Sequence, residues 1–301
     1  MKKIFLIIVM FFSVFTLVGC GQDEEALKLT NKEKFELIQE MESPDFKVTQ
    51  MKMELDLYGS GEGQVIDIYG KINTYQNMTD TSKIINYIDF DIDAKTPEGN
   101  ILGVGSLYLN NEEAYLDLNA SLKVGGSTTK VESKEVMPLD ILGLDFTNLP
   151  MDEIFPWDSF QEIDYTEVKD ELDSFLDFVS VYKDGSTTRF AVSLTTAKLL
   201  TIDEIKNNPD AMEVINSIDP TSKISFSIIY NNKKLSKMVF NINFKMDYEG
   251  VEVDCTGKIE LIINGATPQL PTTSQLSKYE EVEVFSFLED LMPQEPYFPS
   301  Y

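Results

Sequence analysis

The sequence lacks histidine entirely and has only two cysteines among its 301 residues. Without an imidazole, Ser-His-Asp and Cys-His catalytic arrangements and every histidine-containing zinc site are excluded. No other nucleophile and base form a recognisable pair in the sequence. We therefore predict a non-enzymatic protein with no catalytic residue, no metal site and no cofactor.

Basic residues are also scarce, with 25 Lys and Arg against 51 Asp and Glu, which gives a net charge of −26. A nucleic-acid partner would need a basic surface to displace counterions from its phosphates, so nucleic-acid binding is excluded. The content of 43% hydrophobic residues, with only 16 Gly and 12 Pro, indicates a folded chain and not a disordered or collagen-like one.

A short, mostly apolar segment follows two lysines at the N-terminus, where residues 1–20 read MKKIFLIIVMFFSVFTLVGC. The apolar part is shorter than the roughly 20 residues that a membrane-spanning helix needs. We interpret residues 1–19 as a signal peptide.

The end of this segment, Leu17-Val18-Gly19-Cys20, resembles the lipobox of bacterial lipoproteins. The resemblance implies cleavage between Gly19 and Cys20 and diacylation of the Cys20 thiol, with palmitate as a typical acyl group. Two acyl chains anchor a protein stably, so we expect a lipoprotein on the extracellular face of the cell membrane. The alternative is an ordinary signal peptide that ends in an incidental cysteine. With Cys20 acylated, Cys255 would be the one free thiol, a usage that fits exported proteins of Gram-positive bacteria.

Residues 20–30 are short and polar and are predicted to form a tether, followed by one domain over residues 31–265 and a C-terminal tail over residues 266–301. Thr30 and Glu33 form a capping-box pattern that predicts a helix over 32–41. From residue 46 the apolar period changes to two, which indicates strands. Strands are predicted at 47–58, 65–75, 83–93, 101–109, 113–118, 122–136, 178–182, 188–194, 224–229, 238–244 and 251–263, and helices near 165–175 and over 196–218.

The order helix, meander, helices, meander predicts an α+β fold, in which a large curved antiparallel β-sheet, or half-barrel, packs against helices. The tail is expected either to cross back over the domain or to stay loose.

The helix over 32–41, the amphipathic strand over 47–58 and the hairpin ISFSIIYNNKKLSKMVFNINFKM over 224–246 resemble the LolA/LppX family of lipoprotein carriers and lipoproteins. In that family an eleven-strand half-barrel wraps around helices, and the space between them holds lipid acyl chains. The resemblance implies a LolA-like lipoprotein of the uncharacterised Gram-positive group. It transfers no functional residue except Cys20.

Methionine and phenylalanine on the strand faces could line an adaptable apolar pocket, because Met repacks around irregular partners. The predicted cavity residues are Met51, Met53, Leu55, Phe226, Met238, Phe240 and Phe244. Ordinary core packing is the alternative explanation for them. We therefore predict a lipid-anchored binder or carrier of a hydrophobic or amphipathic ligand, or else an acidic interaction module that assists an envelope protein complex.

Two acidic patterns have simpler explanations than a site. Asp89, Asp91 and Asp93 lack the Gly and Glu that a calcium loop would need after them, so they are interpreted as one solvated strand face. The acidic stretch 158–177 is interpreted as charged helix surface. Cys255 is predicted to be a small buried residue.

The lipobox makes a direct prediction. Replacing Cys20 by Ser removes the thiol that would carry the acyl chains, so the chain should no longer incorporate a clickable palmitate analogue supplied to the bacterium, and it should leave the membrane fraction. Cys255→Ser is the matched control and should keep the label. Equal labelling of both variants would contradict lipidation at Cys20.

Overall fold

The computed structural model describes residues 25–61, 63–80, 85–110, 112–139, 161–199, 212, 215–248, 250–283 and 285–286. The signal peptide and Cys20 lie outside these residues, as does most of the helix predicted over 196–218. Within the described residues, no helix has both the length and the apolar character needed to cross a membrane.

The described chain is mostly β-structure, with twelve strands and four helices. The strands are β1 Val48–Gly61, β2 Gln64–Asn77, β3 Ile85–Thr96, β4 Gly99–Leu109, β5 Glu113–Val124, β6 Ser127–Pro138, β7 Val179–Asp184, β8 Thr187–Thr195, β9 Lys223–Asn231, β10 Lys234–Tyr248, β11 Val251–Ile263 and β12 Glu280–Glu281. The helices are α1 Asn31–Gln39, α2 Tyr165–Leu176, α3 Thr196–Leu199 and α4 Thr273–Leu276.

All twelve strands belong to one curved, unclosed sheet, in the order β12-β6-β5-β4-β3-β2-β1-β11-β10-β9-β8-β7. Neighbouring strands are antiparallel except β12, which runs parallel to β6. The two predicted meanders are joined by pairing of β1 with β11. The prediction of one large curved antiparallel sheet is confirmed. The α+β assignment gave the helices too much weight, because most of the described residues lie in strands.

One predicted turn is misplaced. The pattern predicted strands at 113–118 and 122–136, whereas β5 continues to Val124 and β6 begins at Ser127. The turn between them is Gly125-Gly126, and both glycines have positive φ (56° and 87°). Such φ values suit glycine and match the twist of the strands that a two-residue hairpin joins.

Helix α1 begins at the predicted capping box. The Thr30 Oγ1 accepts a hydrogen bond from the Glu33 backbone N–H at 3.3 Å, and the Thr30 N–H donates to Glu33 Oε2 at 2.7 Å. Beyond this cap, α1 buries Phe35 and Ile38. They belong to one buried cluster with Leu172 and Leu176 of α2 and with residues of β7 to β11.

After β11 the chain crosses the sheet as a strap, defined here as residues 267–283. At its start the hydroxyls of Tyr75 and Thr267 hydrogen bond at 3.1 Å. At its end β12 pairs with the edge strand β6, and the Val282 N–H donates to the Val136 carbonyl at 2.9 Å. Just beyond the strap, Phe285 is buried in a second apolar cluster. The described part of the tail therefore crosses back over the domain.

Two glycines in the sheet offer a matched test of packing. A Cβ at Gly105 would lie 2.7 Å from both the Asp117 carbonyl oxygen and the Phe90 ring, whereas a Cβ at Gly70 would meet no atom within 4 Å. We expect Gly105→Ala to lower the free energy of unfolding by about 1–3 kcal/mol through overpacking. Gly70→Ala should leave it unchanged or raise it by about 0.5 kcal/mol. Urea denaturation measures both; equal losses would contradict the assigned packing.

Candidate functional site

Strand pairing divides the sheet into two faces, because directly opposite residues of antiparallel neighbours point to the same side. We call the side that carries Met51, Met53 and Leu55 the apolar face. The side that carries Lys52 and Glu54 is the polar face. Along β1 these two sets alternate residue by residue, and the first set is half-buried while the second is exposed.

The pairing of β1, β11 and β10 brings the predicted cavity residues of β1 and β10 onto the apolar face. Met51 lies opposite Leu261 and, one strand further, Met238; Met53 lies likewise in one row with Ile259 and Phe240. Phe244 lies in the row of Cys255 and Leu57, four residues along the strands from the row of Met53 and Phe240.

The predicted residues divide into two environments on this face. Met238 and Phe226 are 5% and 6% exposed and belong to the buried cluster of the helices, and Phe240 packs against that cluster. Met51, Met53, Leu55 and Phe244 are half-buried. The first group serves core packing, which leaves the second group to line any open apolar surface.

A row that contains three glycines and one alanine crosses the middle of the apolar face. From β11 to β5, the opposite residues are Gly257, Leu55, Gly70, Ile92, Gly103 and Ala120. The space above two of these glycines is open: a Cβ at Gly70 would meet nothing within 4 Å, and a Cβ at Gly103 would meet only the Ala120 Cβ at 3.9 Å. We call the depression over Gly70, Gly103 and Ala120 the trough. At Gly257, by contrast, Leu55 Cδ1 lies 3.1 Å from the Cβ position and fills the space.

Sequence reasoning missed the trough, although each glycine gave a signal. A glycine inside a strand often marks a site where another group approaches the backbone closely. The three glycines are far apart in the sequence, and only the strand register shows that they lie in one row.

Beyond the trough, toward the hairpins between β1 and β2 and between β3 and β4, large apolar side chains of the same face are exposed. They form what we call the apolar rim: Ile66, Ile101, Leu122, Val124 and Val251, each 41–49% exposed. Among the described residues, the helical cluster covers only the other end of this face. A contiguous exposed apolar surface of this kind marks a binding site more often than a chance arrangement.

Cys255 lies on the apolar face between Leu57 and Phe244. It is half-buried and not fully buried as predicted. Burial raises the pKa of its thiol, and the carboxylates of Asp254 and Asp56 raise it further. The thiol is therefore a weakly reactive reporter placed within the candidate site.

The carboxylates considered for metal binding lie on the polar face, and Asp89 and Asp93 have neighbouring partners there. The Asn73 side-chain amide donates to Asp89 Oδ2 at 2.6 Å, and Lys95 Nζ lies 3.9 Å from Asp93 and 3.0 Å from Asp67. Within the described part of the chain, no group of three or more metal-ligating side chains is suitably placed to hold a metal ion.

The described part of the acidic stretch 158–177 forms the cap and surface of α2. Asp164 accepts a hydrogen bond from the Thr166 N–H at 2.8 Å, and Asp173 pairs with Lys169. Hydrogen bonds with these partners lower the pKa values of both carboxyls. Residues 158–160 lie outside the described residues.

Comparisons with known proteins add little to this picture. No protein-family model matches the chain, and no curated protein matches it. Among solved structures it is similar to a beta-barrel-like protein of domain of unknown function DUF1849 from Brucella abortus, at 13% identity over 72% of this chain and 98% of that one, with a TM-score of 0.20. Membership of the LolA/LppX family stays a prediction.

The position of Cys255 predicts slow modification. Because burial raises its pKa and restricts access, it should react with a water-soluble maleimide more slowly than a thiol one residue away on the polar face. In the chain from Gly21 onward, Cys255→Ser combined with Thr256→Cys moves the one thiol to an exposed position. We expect at least about tenfold faster labelling of that variant at pH 7. Similar rates would contradict the assigned faces.

Proposed function

We propose that this protein is a non-enzymatic lipoprotein, anchored through Cys20 on the extracellular face of the membrane, that binds a hydrophobic or amphipathic molecule on its apolar face. In this proposal the helices cover one end of that face, and the ligand lies over the trough and against the apolar rim. The half-barrel thus holds its ligand next to the helices, as the resemblance to lipid carriers implies.

The observation that carries the proposal is the open space above Gly70 and Gly103. Glycine inside a strand weakens the strand, because it has no side chain to pack, and it often marks a site where another group approaches the backbone closely. Ile92 lies between these glycines in the same row. A narrow apolar depression with a large hydrophobic residue at its centre suits an acyl chain better than a polar ligand.

The position of the body relative to the anchor supports a membrane-derived ligand. The Leu27 N–H donates to the Val181 carbonyl of β7 at 2.8 Å, so the chain joins the sheet by residue 27. The seven residues from Cys20 to Leu27 span at most about 25 Å when fully extended. An acylated Cys20 would therefore keep the sheet within reach of lipids at the bilayer surface.

The alternative, an acidic interaction module, has less support on the polar face. Several of its carboxylates are paired with lysines, as in Lys245–Asp254, Lys134–Asp117 and Lys95–Asp67. Such pairing reduces the charge that a basic partner would meet. No described observation favours that contact over ligand binding.

Filling the trough tests the proposal. We expect Gly70→Leu and Gly103→Leu, made in the chain from Gly21 onward, to weaken binding of a dansyl-labelled long-chain fatty acid by about tenfold or more, because the new side chains occupy the ligand's space. Lys71→Leu places the same side chain next to Gly70 but on the polar face, and should leave binding unchanged. Fluorescence titration gives the Kd, and thermal unfolding checks that each variant is folded.

Absence of any binding by the unmodified chain, or equal loss in all three variants, would overturn the proposal. Native mass spectrometry of the same chain purified from its own host gives an independent reading. A bound mass that organic extraction releases as lipid would identify the ligand. A clean mass of the protein alone would favour the interaction module.

A further inference from the structure

A row of four tyrosines crosses the polar face, on the side of the sheet away from the trough. Tyr75, Tyr87, Tyr108 and Tyr115 lie directly opposite one another on β2, β3, β4 and β5. The rings of Tyr108 and Tyr115 are 5.9 Å apart between centroids. Cross-strand aromatic pairs stabilise a sheet, but a polar face needs no such row to fold.

The strap is held at the two ends of this row. Tyr75 bonds to Thr267, and the Tyr115 ring meets the Tyr279 ring edge-on at 5.4 Å between centroids. Tyr75 and Tyr115 are accordingly buried, at 3% and 9% exposure. Tyr87, in the middle of the row, is only half-buried, because the strap and the sheet enclose an open cleft of about 650 Å³ there.

The floor of the cleft is a row of polar side chains next to the tyrosines. Asp89, Ser106, Asp117 and Lys134 lie opposite one another on β3 to β6. Gln269 and Lys278 of the strap face this floor across the cleft. The lining of the cleft contains two carboxylates and two ammonium groups, so its net charge is zero.

We propose that this cleft binds a neutral, polyhydroxylated ligand, that is, a carbohydrate. Sugar hydroxyls both donate and accept hydrogen bonds, and the cleft offers carboxylates as acceptors, ammonium groups as donors and Gln269 and Ser106 as both. The half-buried ring of Tyr87 gives a flat apolar surface for the C–H face of a pyranose, whereas Lys134 Nζ lies over the Tyr279 ring, 4.9 Å from its centroid.

The same lining disfavours other ligand classes. Asp117 is already paired with Lys134, and Asp89 accepts from Asn73, so no cluster of free carboxylates awaits a cation. A phosphate would meet two carboxylates as well as two ammonium groups, so a lining without net charge gives an anion no net attraction. The volume is within the usual range for small-molecule sites, about 300–1,000 Å³.

A neutral-oligosaccharide screen tests the assignment. Cellotetraose, chitotetraose and maltotetraose are titrated into the chain from Gly21 onward, with binding followed by saturation-transfer NMR and calorimetry. We expect one of them to bind, and Asp89→Ala and Gln269→Ala each to weaken that binding by about tenfold, since each removes a hydrogen-bonding group from the cleft. Asp91→Ala is the matched control, because Asp91 lies on the same strand and face but does not line the cleft.

The results of the saccharide titrations can be distinguished from those of the fatty-acid titrations that test binding on the apolar face. Gly70→Leu should leave saccharide binding unchanged, because the trough lies on the opposite face. Failure of all three saccharides to bind at millimolar concentration would overturn the carbohydrate assignment, as would equal loss in Asp91→Ala or binding of inorganic phosphate alone. Retained thermal unfolding temperatures in the variants separate loss of binding from loss of fold.

Discussion

Pairing of β1 with β11 is the interaction on which the rest of the structure depends. It joins residues 48–61 to residues 251–263, so two meanders that are each local in sequence become one sheet. Bringing these two strands together closes a loop of the whole chain between them. This loses more chain entropy than closing a local hairpin does. The register of this pair also decides the faces, since a slip of one residue would send Met53 and Leu55 to the polar face. Both the trough and the apolar face depend on this register.

Different segments of the chain lie over the two faces of the sheet. On the apolar face, one end carries strand residues that share a buried cluster with Phe35, Ile38, Leu172 and Leu176 of the helices, and the rim at the other end is exposed. On the polar face the strap packs against a tyrosine row and carries Pro268 and Pro271 over the polar floor. The helices thus leave open an apolar surface, and the strap leaves open a polar one. These unequal coverings leave one open surface on each face of the sheet.

Sequence patterns predicted what a single strand or helix determines. The alternation at Met51, Met53 and Leu55 predicted which side of β1 is apolar, and Thr30 with Glu33 predicted the start of α1. Sequence patterns failed where a feature depends on which residues of neighbouring strands lie side by side. The glycine row and the tyrosine row each draw one residue from every strand they cross, and the separations along the sequence depend on hairpin lengths that no local pattern specifies. The turn at Gly125-Gly126 was also missed. Polar residues lie on both sides of it, so the apolar pattern did not indicate where β5 ends and β6 begins.

An unclosed sheet has two edges whose free N–H and C=O groups would invite pairing with other chains. Here each edge is paired over a short stretch, by residue 27 at β7 and by β12 at β6. At β7 the Leu27 N–H bonds to the Val181 carbonyl, and at β6 the strap adds β12, after which Phe285 packs into the apolar cluster and Ser286 bonds to Glu135. The strap therefore combines two tasks. Its start and end fix it to the sheet and protect an edge, and the span between them is free to form the roof of the polar cleft.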